Sequence, residues 1–420
     1  MKLVIPHIHK TLGDAGFFAR ISQKGEIKEL RVKVLEGLRQ IEGILIGRRV
    51  FETPLIISRV CGICPTSHIL NACQALEKAL EIKVSLQTEQ LRKLITAAQI
   101  IQSHSLHIFF MSLADFFEID SETKLMKKFS KEMETVLRLR DFALKIIGIV
   151  GGRTVHPIRP IVGGFTKVPE KEDYQKILEN CKKNQEDSFV LIELFKNLEY
   201  SELKRKTLFC SSFSKKDYPY HQGQTIKIGE KIFSPGDFFS NQVEEDLKEQ
   251  PAKKVRFGTK AYMLGAIARI KNNGSYLDPE AKNILQEFQN KNKYFFENTF
   301  YNTFCQAVEI LHFLKEIEKT LIELLKEKID RPYIEYKINK GSGLSALEAP
   351  RGTLFTYLEV DRGGRISDCA IITPTAQFLS NLEEDLKVLL LNVSISKEEK
   401  IKKVKTLIRA YDPCIACAVH

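Results

Sequence analysis

The chain has 420 residues, 43% of them hydrophobic and 28% charged, the composition of a globular protein able to bury a large core. No apolar run reaches the ~18–20 residues of a membrane span, and the opening residues 1–6 lack the apolar stretch of a secretory signal. The net charge of +11 is spread over alternating lysines and glutamates rather than a basic block, so it reads as solvated surface, and no nucleic-acid-reading motif is present.

Residues 1–50 read as a small β/helix element, with strand-like runs at 17–21 and 27–34 around a turn at Gly25. Residues 35–47 have helical spacing, placing Leu38, Ile41, Leu45 and Ile46 on one face, with Glu42 also on it. After Cys61-Gly-Ile-Cys64, Pro65 opens a helix to residue 80 and sets His68 one turn beyond Cys64. A long helical pattern over 88–117 buries Leu91, Leu94, Ile95, Ala98 and Ile101 and carries His104, His107 and Asp115. Another spans 124–150 and ends in Gly151-Gly152.

Residues 200–258 are lysine-rich and read as a peripheral β-containing excursion. Helices follow at 279–305 and 306–329, then Glu348-Ala-Pro350-Arg351-Gly352, a strand-like 355–360, a turn at Gly363-Gly364, and Ile371-Ile-Thr-Pro374-Thr375. The last residues are Asp412-Pro-Cys414-Ile-Ala-Cys417-Ala-Val-His420. With no repeats and no convincing boundary, the expectation is one domain over 1–420. Its fold class is α+β, mainly α, with a large helical core and small peripheral β elements.

Nine cysteines is an odd count, which argues against a disulfide framework. Cys73, Cys181, Cys210, Cys305 and Cys369 are isolated and read as small buried hydrophobes. The other four form two Cys-x-x-Cys pairs, and two such turns make a four-sulfur site for a soft metal. Local zinc ribbons space their pairs by roughly 15–20 residues. Here about 350 separate them, so the C-terminus must return to the N-terminal region. A structural zinc or iron site in a non-catalytic subunit also fits the pairs, and metal content separates the two readings.

Cys61-Gly-Ile-Cys64 and Asp412-Pro-Cys414-Ile-Ala-Cys417 resemble the two signatures of the large subunit of nickel-iron hydrogenases, and the ending at His420 resembles the cytoplasmic, bidirectional branch. The likeness extends through Ser103-His104-Ser-Leu-His107 and Glu348-Ala-Pro350-Arg351-Gly352. It implies heterolytic cleavage and formation of H2 at a nickel–iron centre with carbon monoxide and cyanide on iron. Cys61 and Cys414 would be terminal nickel ligands, with Cys64 and Cys417 bridging. Arg351 would overhang the metals, oriented by Asp115 and Asp412. His68 would hydrogen-bond a bridging thiolate. Pro374 and Thr375 would meet a cyanide ligand, with Leu354 also at the cofactor. Magnesium, or another divalent ion, would be held by Glu42, Ile371 and His420.

The resemblance also implies an iron–sulfur small subunit, coupled to a diaphorase or other electron-carrier module, since no cysteine group remains here for a cluster. Among the departures from the family, Leu12 stands where a proton-relaying glutamate is usual, leaving Asp14 as a substitute. That departure keeps a hydrogen-sensing or catalytically impaired subunit in view. Family members are usually made with an extension that is cleaved after the terminal histidine; ending at His420, the sequence is expected to be either the matured form or a chain without one.

Overall fold

The structure is a computed structural model that describes residues 2–119, 121–245, 252–327, 331–391 and 396–420. Four long helices make its core: Leu86–Leu106, Ser130–Gly151, Lys171–Lys196 and Asn302–Lys326. The first packs on the second and fourth, and the third packs on the same two, so they close a ring. The ring holds because each helix carries an apolar stripe. Leu91, Leu94, Ile95, Ala98 and Ile101 are buried as their spacing predicts, as are Leu314, Ile317, Leu321 and Leu324. Ser85 accepts from the Thr88 amide and caps the first helix.

Several boundaries differ from the sequence expectation. The pattern over 88–117 ends its α-helix at Leu106 and widens into a π-helical segment, His107–Leu113. The helix read at 124–150 is two, Glu122–Lys128 and Ser130–Gly151, broken at Phe129. Those read at 279–305 and 306–329 are Pro279–Lys291 and Asn302–Lys326, with short 3-10 turns between, one of them capped by the Asn298 side chain. The helix expected over 35–47 shrinks to Ile41–Leu45, and Leu38 and Ile46 are exposed. Gln40 is left-handed (φ 52°) and the Arg39 amide donates to Val419 O, so this stretch serves the C-terminus instead of continuing a helix.

The strands flank the bundle. Lys2–Ile8, Ala15–Ile21 and Ile27–Val34 form an antiparallel sheet in chain order. Within 200–258 lie a three-stranded sheet (Cys210–Ser212, Ile226–Ile228, Lys231–Phe233) and a two-stranded one (Gln242–Glu245 with Lys254–Phe257). A third sheet, Gly341–Ala349, Gly352–Val360 and Ile366–Ile372, takes the helix Pro65–Ala79 across its first two strands. A Cβ on Gly343 would stand 2.1 Å from Ala75 O, so only glycine lets helix and strand approach this closely. Among the described residues no helix is long and apolar enough to cross a membrane.

This packing positions both halves of the site. Cys61 and Cys64 precede the Pro65–Ala79 helix. Pro350 and Arg351 are the tip of the hairpin whose pairing closes at Ala349 and Gly352. Arg269, fully buried, donates to Ala349 O and Pro350 O, both at 3.0 Å, and pairs with Glu309 at 2.6 Å and Glu348 at 3.2 Å. The hairpin tip is thereby anchored to the helical core.

Candidate metal centre

Fold closure brings the four paired cysteines into one buried cluster. Cys61 Sγ lies 3.6 Å from Cys414 Sγ, Cys64 Sγ 3.6 Å from Cys417 Sγ, and Cys414 Sγ 3.0 Å from Cys417 Sγ. The amides of Ile63 and Cys64 donate to Cys61 Sγ, each at 3.3 Å. Hydrogen bonds from Cys414 first, then Cys417 and Cys64, drive the Cys61 pKa well down, whereas those of Cys64 and Cys417 are driven up. A soft metal binds thiolates, so loading one here would displace the protons these sulfurs carry. Convergent sulfurs from two turns fit a nickel–iron pair.

His68 Nε2 stands 3.8 Å from Cys417 Sγ. Burial pushes its pKa down to about 4, so at neutral pH it is an uncharged hydrogen-bonding group beside a sulfur expected to bridge. Arg351 donates to Asp412 Oδ1 at 2.8 and 3.1 Å, to Asp412 O at 2.7 Å, and to Ser103 Oγ at 3.4 Å. Burial opposes its charge, but Asp412 and then the neighbouring cysteines outweigh this and raise its pKa. Arg351 is a fixed cation and a poor base. Asp412, left-handed at φ 54°, also accepts from Gln306 Nε2 at 3.1 Å, and His107 Nε2 lies 3.8 Å from it.

The expected second-cation ligands also meet. His420 Nδ1 faces Cys417 O and Nε2 faces Ile371 O, both at 2.7 Å, with Glu42 Oε1 3.8 Å from Nε2. Burial lowers the His420 pKa and favours the neutral ring, which has only one N–H to donate. With that proton on Nδ1, a bare Nε2 faces two oxygens, a donor set that fits a hard cation. Lys253 Nζ lies 2.8 and 3.0 Å from the Glu42 oxygens, so its ammonium neutralises the carboxylate and would have to yield to a cation there.

Other predicted residues fall differently. Thr375 Oγ1 accepts from the Cys414 amide at 3.0 Å, on the first turn of the helix Pro374–Leu390. Leu354 is buried in the C-terminal sheet, its carbonyl accepting from Asn71 at 3.0 Å. Asp115 is not brought to Arg351: its carboxylate pairs with Arg409, because the π-helical segment directs it to the helix Lys397–Ala410. Asp14 does not reach the cysteines either. Its exposed carboxylate lies 3.1 Å from His7, on the solvent side of the sheet. Leu12 is the residue that lines the C-terminal turn, bridging to Cys414 and accepting from the Ile415 amide at 2.7 Å. It offers the adjacent sulfur no proton carrier.

Sequence reading missed Arg39, Ser103, Gln306 and Lys253 as neighbours of the site. Ser103 adjoins His104, inside a motif already noticed. The other three have no local signal, since their roles arise from segments remote in sequence.

The family model for nickel-dependent hydrogenase matches residues 39–138 and 214–420. Sulfhydrogenase 1 subunit alpha of Pyrococcus furiosus is 31% identical, over 100% of this chain and 98% of that protein. Sulfhydrogenase 2 subunit alpha of the same organism is 30% identical, over 95% and 94%. Among solved structures, an NAD+-reducing [NiFe]-hydrogenase in the H2-reduced state superposes with a TM-score of 0.89 at 22% identity, covering 100% of this chain and 99% of that one. A [NiFeSe]-hydrogenase from Dm. baculatum has a TM-score of 0.83 at 20% identity, with 100% of both chains covered.

Proposed function

The chain belongs to the nickel-dependent hydrogenase family, and on that premise we propose that it is the catalytic subunit that cleaves and forms H2 heterolytically, passing electrons to an iron–sulfur subunit. The observation that carries this reading is the convergence of four cysteine sulfurs from opposite ends of the chain in a buried cluster. Bound there, a nickel–iron centre with carbon monoxide and cyanide on iron supplies the H2-binding and redox chemistry.

The protein's part is to hold, shield and move a proton. Cys61 and Cys414 would be its terminal ligands and Cys64 and Cys417 its bridging ones, and a terminal thiolate sulfur would take the proton. Arg351, kept cationic by Asp412, would position groups at the centre rather than act as the base. His68 supports the Cys417 sulfur. Glu42, Ile371 O and His420 hold a divalent ion, magnesium by preference, that fixes the C-terminus.

Phe51, Leu55, Val155 and Ile158 are exposed apolar side chains on two segments that His156, 3.1 Å from Ser58 O, ties together three residues before Cys61. Exposed apolar side chains on segments joined there suit a partner surface, and the iron–sulfur subunit would be that partner, taking the electrons. A diaphorase or similar module then delivers electrons to NAD(P) or another soluble carrier. Nine unpaired cysteines favour a reducing, cytoplasmic setting.

The test is metal analysis and H2-dependent dye reduction on the purified complex. Equimolar nickel and iron with turnover is expected. Zinc without nickel would overturn the reading. Full nickel with negligible turnover would favour a hydrogen sensor, the alternative that Leu12 beside Cys414 supports.

A further inference from the structure

Arg39 lies between the N-terminal sheet and the short helix Ile41–Leu45. Its Nη2 donates to Val60 O at 2.7 Å and to Ala416 O, and its Nη1 donates to Arg59 O at 3.3 Å. Its own backbone N–H donates to Val419 O at 2.9 Å. Arg59 and Val60 lead directly into Cys61, and Ala416 sits between Cys414 and Cys417. One guanidinium therefore binds the main chain of both cysteine turns, while its backbone holds the residue before His420.

The chemistry of the group suits this position. A guanidinium presents its donors in a rigid plane, so three carbonyls bound to it are fixed in relative position. Bonds from a charged donor are roughly twice as strong as neutral ones. A lysine ammonium on a flexible stem cannot span the same three acceptors. Across the two turns the sulfurs stand 3.6 Å apart, a spacing that depends on how the two turns are held to one another.

We propose that Arg39 is a positioning residue that staples the two cysteine turns in register, setting the spacing of the four sulfurs before and after metal insertion. The inference rests on the four-thiolate reading above, and its test is chosen to fail separately from it. Arg39→Met and Arg39→Lys are made in the complete complex. Three quantities are measured: nickel loss to a chelator, the infrared bands of the iron-bound diatomics, and carboxypeptidase trimming of the metal-free chain.

Both variants should lose nickel at least about tenfold faster, within the range seen when groups supporting metal ligands are removed. Both should shift the infrared bands, and both should be trimmed faster from the C-terminus, while the far-ultraviolet melt of the helical core stays at the parent value. Parent rates and parent bands in Arg39→Met would overturn the staple. So would full rescue by Arg39→Lys, which would make charge alone sufficient. If the parent itself takes up no nickel, the nickel–iron reading fails. Trimming then decides the staple alone: faster in Arg39→Met supports it, and equal rates overturn it.

Discussion

Cys61 and Cys64 sit at the head of a 15-residue helix that is buried along nearly its whole length, whereas, in the last nine residues, Cys414 caps and Cys417 lies within a helix of only four. The first pair inherits its position from the core. Its helix packs on a three-stranded sheet at glycine-tight distance, and Gln99 from the bundle donates to Ile63 O at 2.7 Å. The second pair is held by groups that converge from far apart in sequence: Leu12 O, Arg39, Thr375, Ile371 O and Arg351. A large redox centre can be placed in a buried site if one half is preformed and the other closes over it. On the proposed reading, the tail, with its many separate hydrogen bonds and little helix, would be the closing half.

The largest effect should come from removing one sulfur on each side. Cys64→Ser and Cys417→Ser both replace a soft thiolate, proposed to bridge, by a hard hydroxyl. Although the two turns are supported so differently, both variants should fail to hold a dinuclear site. Stoichiometric nickel and iron in either variant, measured by metal analysis, would contradict the bridging assignment.

Next comes Arg269→Met, which attacks the preformed side. Arg269, Glu309 and Glu348 are all fully buried, so the change strands two carboxylates that had a cation. Breaking such a pair costs about 3–5 kcal/mol. The denaturation midpoint of the whole chain should fall accordingly, and the hairpin bearing Arg351 should loosen with it. An unchanged midpoint would mean that the network carries no load.

Gly13→Ala is the smallest of the three and addresses the tail. Gly13 is at φ +100°, and a Cβ there would stand 2.8 Å from Ile415 Cβ and 2.3 Å from Glu36 Oε1. A strained backbone of this kind costs about 1–3 kcal/mol. The Ile415 amide, bonded to Leu12 O, should exchange hydrogen faster while amides of the Leu86–Leu106 helix exchange as before. Equal acceleration in both places would show that tail and core are not separable.

The preformed half was the more legible in the sequence. Helical periodicity found the stripes of the bundle, and Pro65 after Cys64 marked the helix start, because both are local patterns. The cysteine pairs were visible as ligands for the same reason. What escaped was the meeting of distant segments. Residues 35–47 have helical spacing, yet Arg39 and Gln40 leave the helix to bind the tail, a competition no local pattern records. Asp115 kept its place in the motif but paired with Arg409, since the π-helical segment before it alters its direction. Asp14 lay close to Leu12 in sequence, yet the strand that begins at Ala15 leaves its carboxylate at the surface. Glu42, Ile371 and His420 were named through the resemblance. Lys253, which balances Glu42, has no sequence signal at all.

The most direct test of the account is the infrared spectrum of the purified complex. A dinuclear centre held by Cys61, Cys64, Cys414 and Cys417 predicts sharp bands from iron-bound carbon monoxide and cyanide that disappear in Cys417→Ser. A spectrum without such bands, from protein that nevertheless carries stoichiometric metal, would contradict it.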